Sequence, residues 1–186
     1  MKKLLSSFKP IFRNYFLILL VYFFFYISSG GMENNIPFLF EKRIGDSLYG
    51  IFLSLLSIMD VVLPLLIVYF SKKFSPLAVG GLSLLLGAGA AVGISLTEYK
   101  AAVFVGLFLI YCVRIMFNYS AGNSFNLAVP SEERTGYFAL RDIFLYGAIA
   151  ISTWFSGWLI SKWNMEAAYG FLSVGFLIAL VFTWNG

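Results

Sequence analysis

The sequence predicts an all-α membrane protein of six transmembrane helices. Of its 186 residues, 60% are apolar and only 12% charged, and the mean hydropathy is +0.87. The uncharged stretches reach the roughly 20 residues that a helix needs to cross a bilayer. A soluble domain carries about 25% charged residues, and the strands of a transmembrane barrel are far shorter than these stretches. An aromatic content of 19% is equally foreign to a disordered chain.

Residues 1–14, with Lys2, Lys3, Lys9 and Arg13, read as a cytoplasmic N-terminal segment. The first span is expected over about 15–40, with Gly30-Gly31 and Pro37 as irregularities, and the second over 48–70, with Pro64 inside it. Both are tolerable where neighbouring helices satisfy the freed backbone groups. Four more follow over 77–96, 101–129, 137–160 and 167–184. The connections are short, so successive spans run antiparallel.

Lys and Arg set the orientation. With the N-terminus inside, the cytoplasmic segments hold eight basic residues: Lys2, Lys3, Lys9, Arg13, Lys72, Lys73, Arg134 and Arg141. The outer segments hold four: Lys42, Arg43, Lys100 and Lys162. A multi-pass plasma-membrane protein with a cytoplasmic N-terminus is therefore expected. The net charge of +4 faces anionic lipid and calls for no nucleic-acid partner. The basic start before an apolar run ending at Ser28-Ser29-Gly30 has the outline of a secretory signal peptide. The run continues through Met32 to Phe40, however, and its small-residue site lacks Ala, so it reads as a retained span.

Composition also removes whole chemistries. The chain has no histidine, so histidine triads, zinc sites and proton relays are excluded. Cys112 is the single cysteine and lies in an apolar run, which excludes an internal disulfide or a cysteine cluster. No Gly is followed by Lys, so no phosphate-binding loop of the ATPase type exists. Gly87-Ala88-Gly89 with Gly93 falls inside a span rather than at a dinucleotide-binding turn. Neither enzyme activity, nor a cofactor, nor a metal site is expected.

Charge within a membrane helix is costly, so each such residue is a functional candidate. These are Glu33, Asn34 and Asn35 in the first span, Asp60 in the second, Arg114, Asn118, Asn123 and Asn126 in the fourth, and Arg141 and Asp142 in the fifth. Spans three and six carry none. Spans one, two, four and five are thus expected to face a polar interior, with three and six outside as support or against lipid. Asp60 and Arg114 both lie roughly 18 to 20 Å from the outer end of their spans at 1.5 Å per residue, which predicts an Asp60–Arg114 pair near the midplane. The run Tyr22-Phe23-Phe24-Phe25-Tyr26 covers all sides of a helix and reads as packing. Gly89 with Gly93, and Ser83 with Gly87, are small-residue pairs expected to mediate close helix contact.

Gly50-Ile51-Phe52-Leu53-Ser54, Pro64 and Val68-Tyr69-Phe70-Ser71-Lys72-Lys73-Phe74-Ser75-Pro76 resemble the second helix and following loop of the major facilitator superfamily of transporters, whose loop motif is G-x-x-x-D-[RK]-x-G-[RK]. Lys73 fits the basic position, while Val68, Lys72 and Ser75 stand where Gly, Asp and Gly are expected. Lys72 reverses the acidic charge, so that residue's gating role does not carry over; Glu132, Glu133 or Asp142 are candidate partners for it. Arg114-Ile-Met-Phe-Asn118-Tyr-Ser-Ala-Gly122 is similar to the R-x-x-x-G-x-G-x-G pattern of the fourth helix, with Asn118 and Ser120 replacing two glycines. Pro130 to Arg134 and Tyr137 to Arg141 resemble the passage into the fifth helix, where Gly157 falls at a common glycine position. The G-x-x-x-G-P-x-x-G-G signature of drug/proton antiporters is missing.

The resemblance implies twelve spans in two six-helix halves, with a small solute bound between them and access alternating as they rock. This chain corresponds to the first half. Ending at Thr183-Trp184-Asn185-Gly186, it is expected to be an N-terminal fragment with 185–186 as a truncated end, or else a half that pairs with another copy or chain. The implied partners are the bilayer, a small solute with a proton as candidate coupling ion, and a second six-helix half. Glu33, Asp60 and Arg114 are the coupling candidates; Asn34, Asn35, Asn118, Asn123 and Asn126 line the cavity; Lys72, Lys73, Arg134, Arg141 and Asp142 belong to the cytoplasmic gating loops. The competing expectation is a non-transporting six-helix subunit with an immunity, assembly or regulatory role.

Overall fold

A computed structural model describes residues 2–70 and 72–185, with side chains described from Ile11 to Trp184. Ser71 of the loop motif and Gly186 of the expected truncated end lie outside the described residues, as do the side chains of Lys2, Lys3 and Lys9. Helices α1 (Lys2–Glu33), α2 (Ile36–Leu39), α3 (Tyr49–Phe70), α4 (Pro76–Leu96), α5 (Lys100–Phe117), α6 (Asn123–Ala128), α7 (Arg134–Lys162) and α8 (Met165–Asn185) make up the fold, and no strand occurs among the described residues. Among the described residues, six segments are long and apolar enough to cross a bilayer: Ile11–Glu33, Asp46–Phe70, Pro76–Leu96, Lys100–Ala128, Arg134–Lys162 and Met165–Trp184. The chain is an all-α, multi-pass membrane protein.

The first span stops earlier than 40. Regular helix ends at Glu33, Asn34 and Asn35 form a turn, and the chain continues as α2 and a π-helical turn over Phe40–Ile44. Pro37 lies in the first turn of α2, where its missing N–H costs nothing. Gly45 ends this stretch at φ 109°, a conformation that suits glycine. Span four has a matching break, a π-helical turn over Asn118–Gly122 between α5 and α6.

The spans pack as two triplets. Span one lies against five and six, and span four against two and three; three packs on six, and one meets four. Exchanging the first three spans with the last three maps these principal contacts onto one another. The lighter contact of five with six has no counterpart of similar extent between two and three. Spans three and six back four and one respectively, a support role in keeping with the lack of charge in their apolar stretches, Glu166 lying in the first turn of span six. They are well covered, however, and spans two and five are the most exposed of the six.

Small residues set the helix separations, as expected where lipid is as apolar as the side chains and close contact must supply the attraction. A Cβ on Gly31 would stand 3.0 Å from Leu172 of span six, and one on Gly30 would stand 3.2 Å from Ile149 of span five. Gly87 is pressed between Val113 and Phe176, and Gly106 lies under Ile94. Of the two expected pairs in span three, Ser83 with Gly87 is buried, whereas Gly89 and Gly93 face open space. At about 100° per residue, Gly89 and Gly93 lie on the side of the helix opposite Gly87, so the face that buries Gly80, Ser83 and Gly87 turns them outward. Phe25 and Phe117 stack at 4.1 Å where spans one and four meet, with Phe176 of span six beside them. Phe40, Phe52 and Phe104 form a second aromatic cluster, tying the π-turn to spans two and four.

Leucine at Gly87 is expected to destabilise the bundle by about 1–3 kcal/mol through overpacking, whereas Gly89→Leu is expected to be neutral. Thermal unfolding of the two variants in detergent distinguishes the packed glycine from the open one.

Candidate functional site

Polar side chains gather on the side of spans one and four away from three and six. The periodicity that places them there is legible in retrospect. Tyr22, Tyr26, Ser29 and Glu33 recur every three or four residues and share one face of α1, as do Tyr111, Arg114 and Asn118 of span four. These two faces meet.

Arg114 donates to Glu33 Oε2 at 2.6 Å, with the two side chains 33% and 19% exposed. This corrects the expected Asp60–Arg114 pair. Asp60 is exposed and instead accepts a hydrogen bond from the Tyr111 hydroxyl at 2.8 Å. The Arg114 guanidinium lies over the same Tyr111 ring, 4.7 Å from its centre. Equal depth was a correct reason for Asp60 and Arg114 to be near each other. Depth says nothing about azimuth, and the tyrosine one turn before Arg114 takes the position between them. The result is a chain of contacts from Asp60 through Tyr111 and Arg114 to Glu33, spanning helices two, four and one. The second Glu33 oxygen, Oε1, and Ser29 Oγ one turn away are buried without a hydrogen-bond partner among the described residues.

Below this chain, span one reaches span four through its tyrosines. Tyr26 donates to Asn118 Oδ1 at 3.1 Å, and Tyr22 donates to the Gly122 carbonyl at 2.9 Å and to Asn126 Oδ1 at 3.3 Å. The Gly122 carbonyl belongs to the π-helical turn, so the tyrosine satisfies a backbone group near the irregularity. Reading the aromatic run only as packing missed Tyr22 and Tyr26, and Tyr111 of span four was not singled out at all. Their shared face with Glu33 or Arg114 was the available signal.

The remaining candidates divide. Asn34 is exposed and donates to Thr153 of span five at 2.5 Å, while Asn35 is buried and folds back onto the Gly31 carbonyl at 2.6 Å, capping its own helix end. Asn123 is exposed at the start of α6. Arg141 pairs with the adjacent Asp142 at 2.7 Å and lies over Phe138 at 4.9 Å, with the Tyr22 ring 6.0 Å away. Arg134 donates to the Val129 carbonyl at 3.0 Å and closes the turn between spans four and five. Of the acids considered as partners for Lys72, Glu133 accepts from Tyr15 at 2.7 Å and Asp142 is held by Arg141.

At the other end of the bundle, span six holds the break in span one. Tyr169 donates to the Met32 carbonyl at 2.9 Å and Ser28 donates to the Leu172 carbonyl at 2.5 Å. Arg43, in the last turn of the π-helical stretch, pairs with Glu166 and donates to the Thr97 carbonyl at 3.0 Å. These contacts fix where Glu33 sits.

A double-mutant cycle on Glu33→Gln and Arg114→Met is expected to give a coupling energy of about 1–3 kcal/mol, because removing one partner leaves the other charge uncompensated. Thermal unfolding of the four proteins measures it, and the corresponding cycle on Asp60 and Arg114 is expected to give a smaller value. Among known proteins, no family model matches the chain, and no curated protein or solved structure gives a significant match.

Proposed function

We propose that the chain acts as the first six-helix half of a major facilitator-type secondary transporter, moving a small solute across the plasma membrane by alternating access. What carries this reading is the pair of interrupted helices. Spans one and four occupy corresponding places in two triplets that run in opposite directions, and each breaks next to a partner of the Glu33–Arg114 pair. Discontinuous helices at corresponding positions of inverted repeats are the usual frame for a binding site near the membrane midplane. The resemblance of the α3–α4 connection and of Arg114 to Gly122 to the family's motifs points the same way.

In this reading Arg114 is the switchable cation. Glu33 neutralises it at rest, and a solute group or a proton on Glu33 competes for that pairing, which changes the attraction between spans one and four. Asp60 and Tyr111 supply a second carboxylate and a hydroxyl within reach, and Asn118 and Asn126, held by Tyr26 and Tyr22, supply neutral contacts. The exposed faces of spans two and five, which include Ile58, Val61, Leu65, Tyr146 and Trp154, receive the second half. Arg134, Arg141 and Asp142 close the cytoplasmic end.

Reciprocal accessibility tests the proposal. In a Cys112→Ala background, cysteines at Asn34 and Phe138 are labelled in membrane vesicles with an impermeant maleimide from each side. A solute from a panel of amino acids, sugars, organic cations and organic anions is expected to raise labelling at one position and lower it at the other several-fold. Arg114→Met is expected to abolish the response. Labelling that no solute class changes would favour the non-transporting subunit. A reporter active only in the cytoplasm, inserted at Lys73, is expected to be active, and inactive when inserted at Glu98.

A further inference from the structure

The bundle departs from its own symmetry between spans two and three. Where five and six touch directly, two and three leave a cleft of about 400 Å³. Leu63, Leu66 and Phe70 line it from α3, Phe74 from the connection, and Ala78 and Leu82 from α4, with span four as its floor. Water gains no partners in so apolar a space, and its depth along α3 and α4 lies within the hydrocarbon.

Its mouth is cationic. Lys72 and Lys73 sit at the connection, both exposed, and neither has a carboxylate within ion-pair distance among the described residues. Lys73 lies 5.9 Å over the Tyr69 ring, on the last turn of α3. The 21-residue α4 begins there, capped by Ser75, which accepts from the Ala78 N–H at 3.1 Å. Its N-terminal end adds partial positive charge beside the lysines. An apolar slot at acyl-chain depth below two lysines at headgroup depth is complementary to one class of molecule.

We propose that this cleft binds an anionic glycerophospholipid, with an acyl chain between spans two and three and its phosphate against Lys72 and Lys73. The lipid completes the contact that the other triplet makes with side chains. A zwitterionic lipid fills the slot equally well but brings its own cation to the lysines, so the site selects by headgroup charge. This inference stands on the cleft and its mouth and is independent of the transport reading.

Native mass spectrometry of the purified chain, released from detergent with phosphatidylglycerol or phosphatidylcholine, tests it. One phosphatidylglycerol is expected to be retained on the order of thirtyfold more than phosphatidylcholine, because each of the two lysines attracts the anionic headgroup. Lys72→Gln with Lys73→Gln is expected to bring the two lipids level; both residues are exposed, so the bundle remains folded. Ala78→Phe, which fills the slot, is expected to lower retention of both. Equal retention by the unaltered chain, or a preference that survives the double lysine replacement, overturns the proposal. So does a protein dimer that Ala78→Phe dissociates, which would assign the cleft to a second copy.

Discussion

The Glu33–Arg114 pair joins the two triplets where spans one and four meet, beside the stack of Phe25 on Phe117. On the opposite side, spans three and six hold the triplets together through small residues and close carbon contacts. Taking two charges out of water costs several kcal/mol per ion, a cost tolerated only when geometry is good and neighbours assist. Here Tyr111 lies beneath the guanidinium and Ser28, Leu172, Tyr169 and Met32 fix the end of α1 that presents the carboxylate. The pair thus depends on span six, whose hydrogen bonds with Ser28 and Met32 hold α1 just before Glu33.

The irregular helices follow from the same demand. A helix end inside a bilayer leaves carbonyl and N–H groups that must find partners. At Glu33 they find Asn35 and Tyr169; at the π-turn of span four they find Tyr22 and Ser120, which donates to the Met116 carbonyl. Polar side chains near the breaks therefore have two roles, satisfying backbone and facing the open side of the bundle. That double use explains why Asn35 turned inward while Asn118 and Asn126 remained with the tyrosines of span one.

Spans two and five are the least committed helices. Asp60 stands exposed halfway along α3, among Ile58, Val61 and Val62. A carboxylate at that depth is stable beside water or a cation and costly against lipid. Its place on the open side, next to Tyr111, relieves the difficulty, and it makes the surface around it chemically unlike the lipid-facing side of span three, where Leu82, Leu85 and Leu86 are exposed.

Six helices and their approximate limits were legible from hydropathy and length, because the absence of water in the bilayer leaves the backbone few alternatives. So was the restriction of charge to spans one, two, four and five, since charge is costly wherever helices are packed dry. The pairing was not legible. Asp60 and Glu33 compete for Arg114, and one-dimensional depth cannot rank them; the rotation of α1 and α5 about their axes, set by Phe25 on Phe117 and by Gly30 and Gly31 against their neighbours, turns Arg114 toward Glu33. The rotation of α4, set by Gly80 against Ala121 and by Gly87 against Val113 and Phe176, likewise buries Gly87 and leaves Gly89 open. The sequence by itself determined which helices exist and which of them carry polar faces. Only the tertiary structure decided which faces meet, because side-chain contact depends on helix azimuth, and azimuth is a property of the packed bundle.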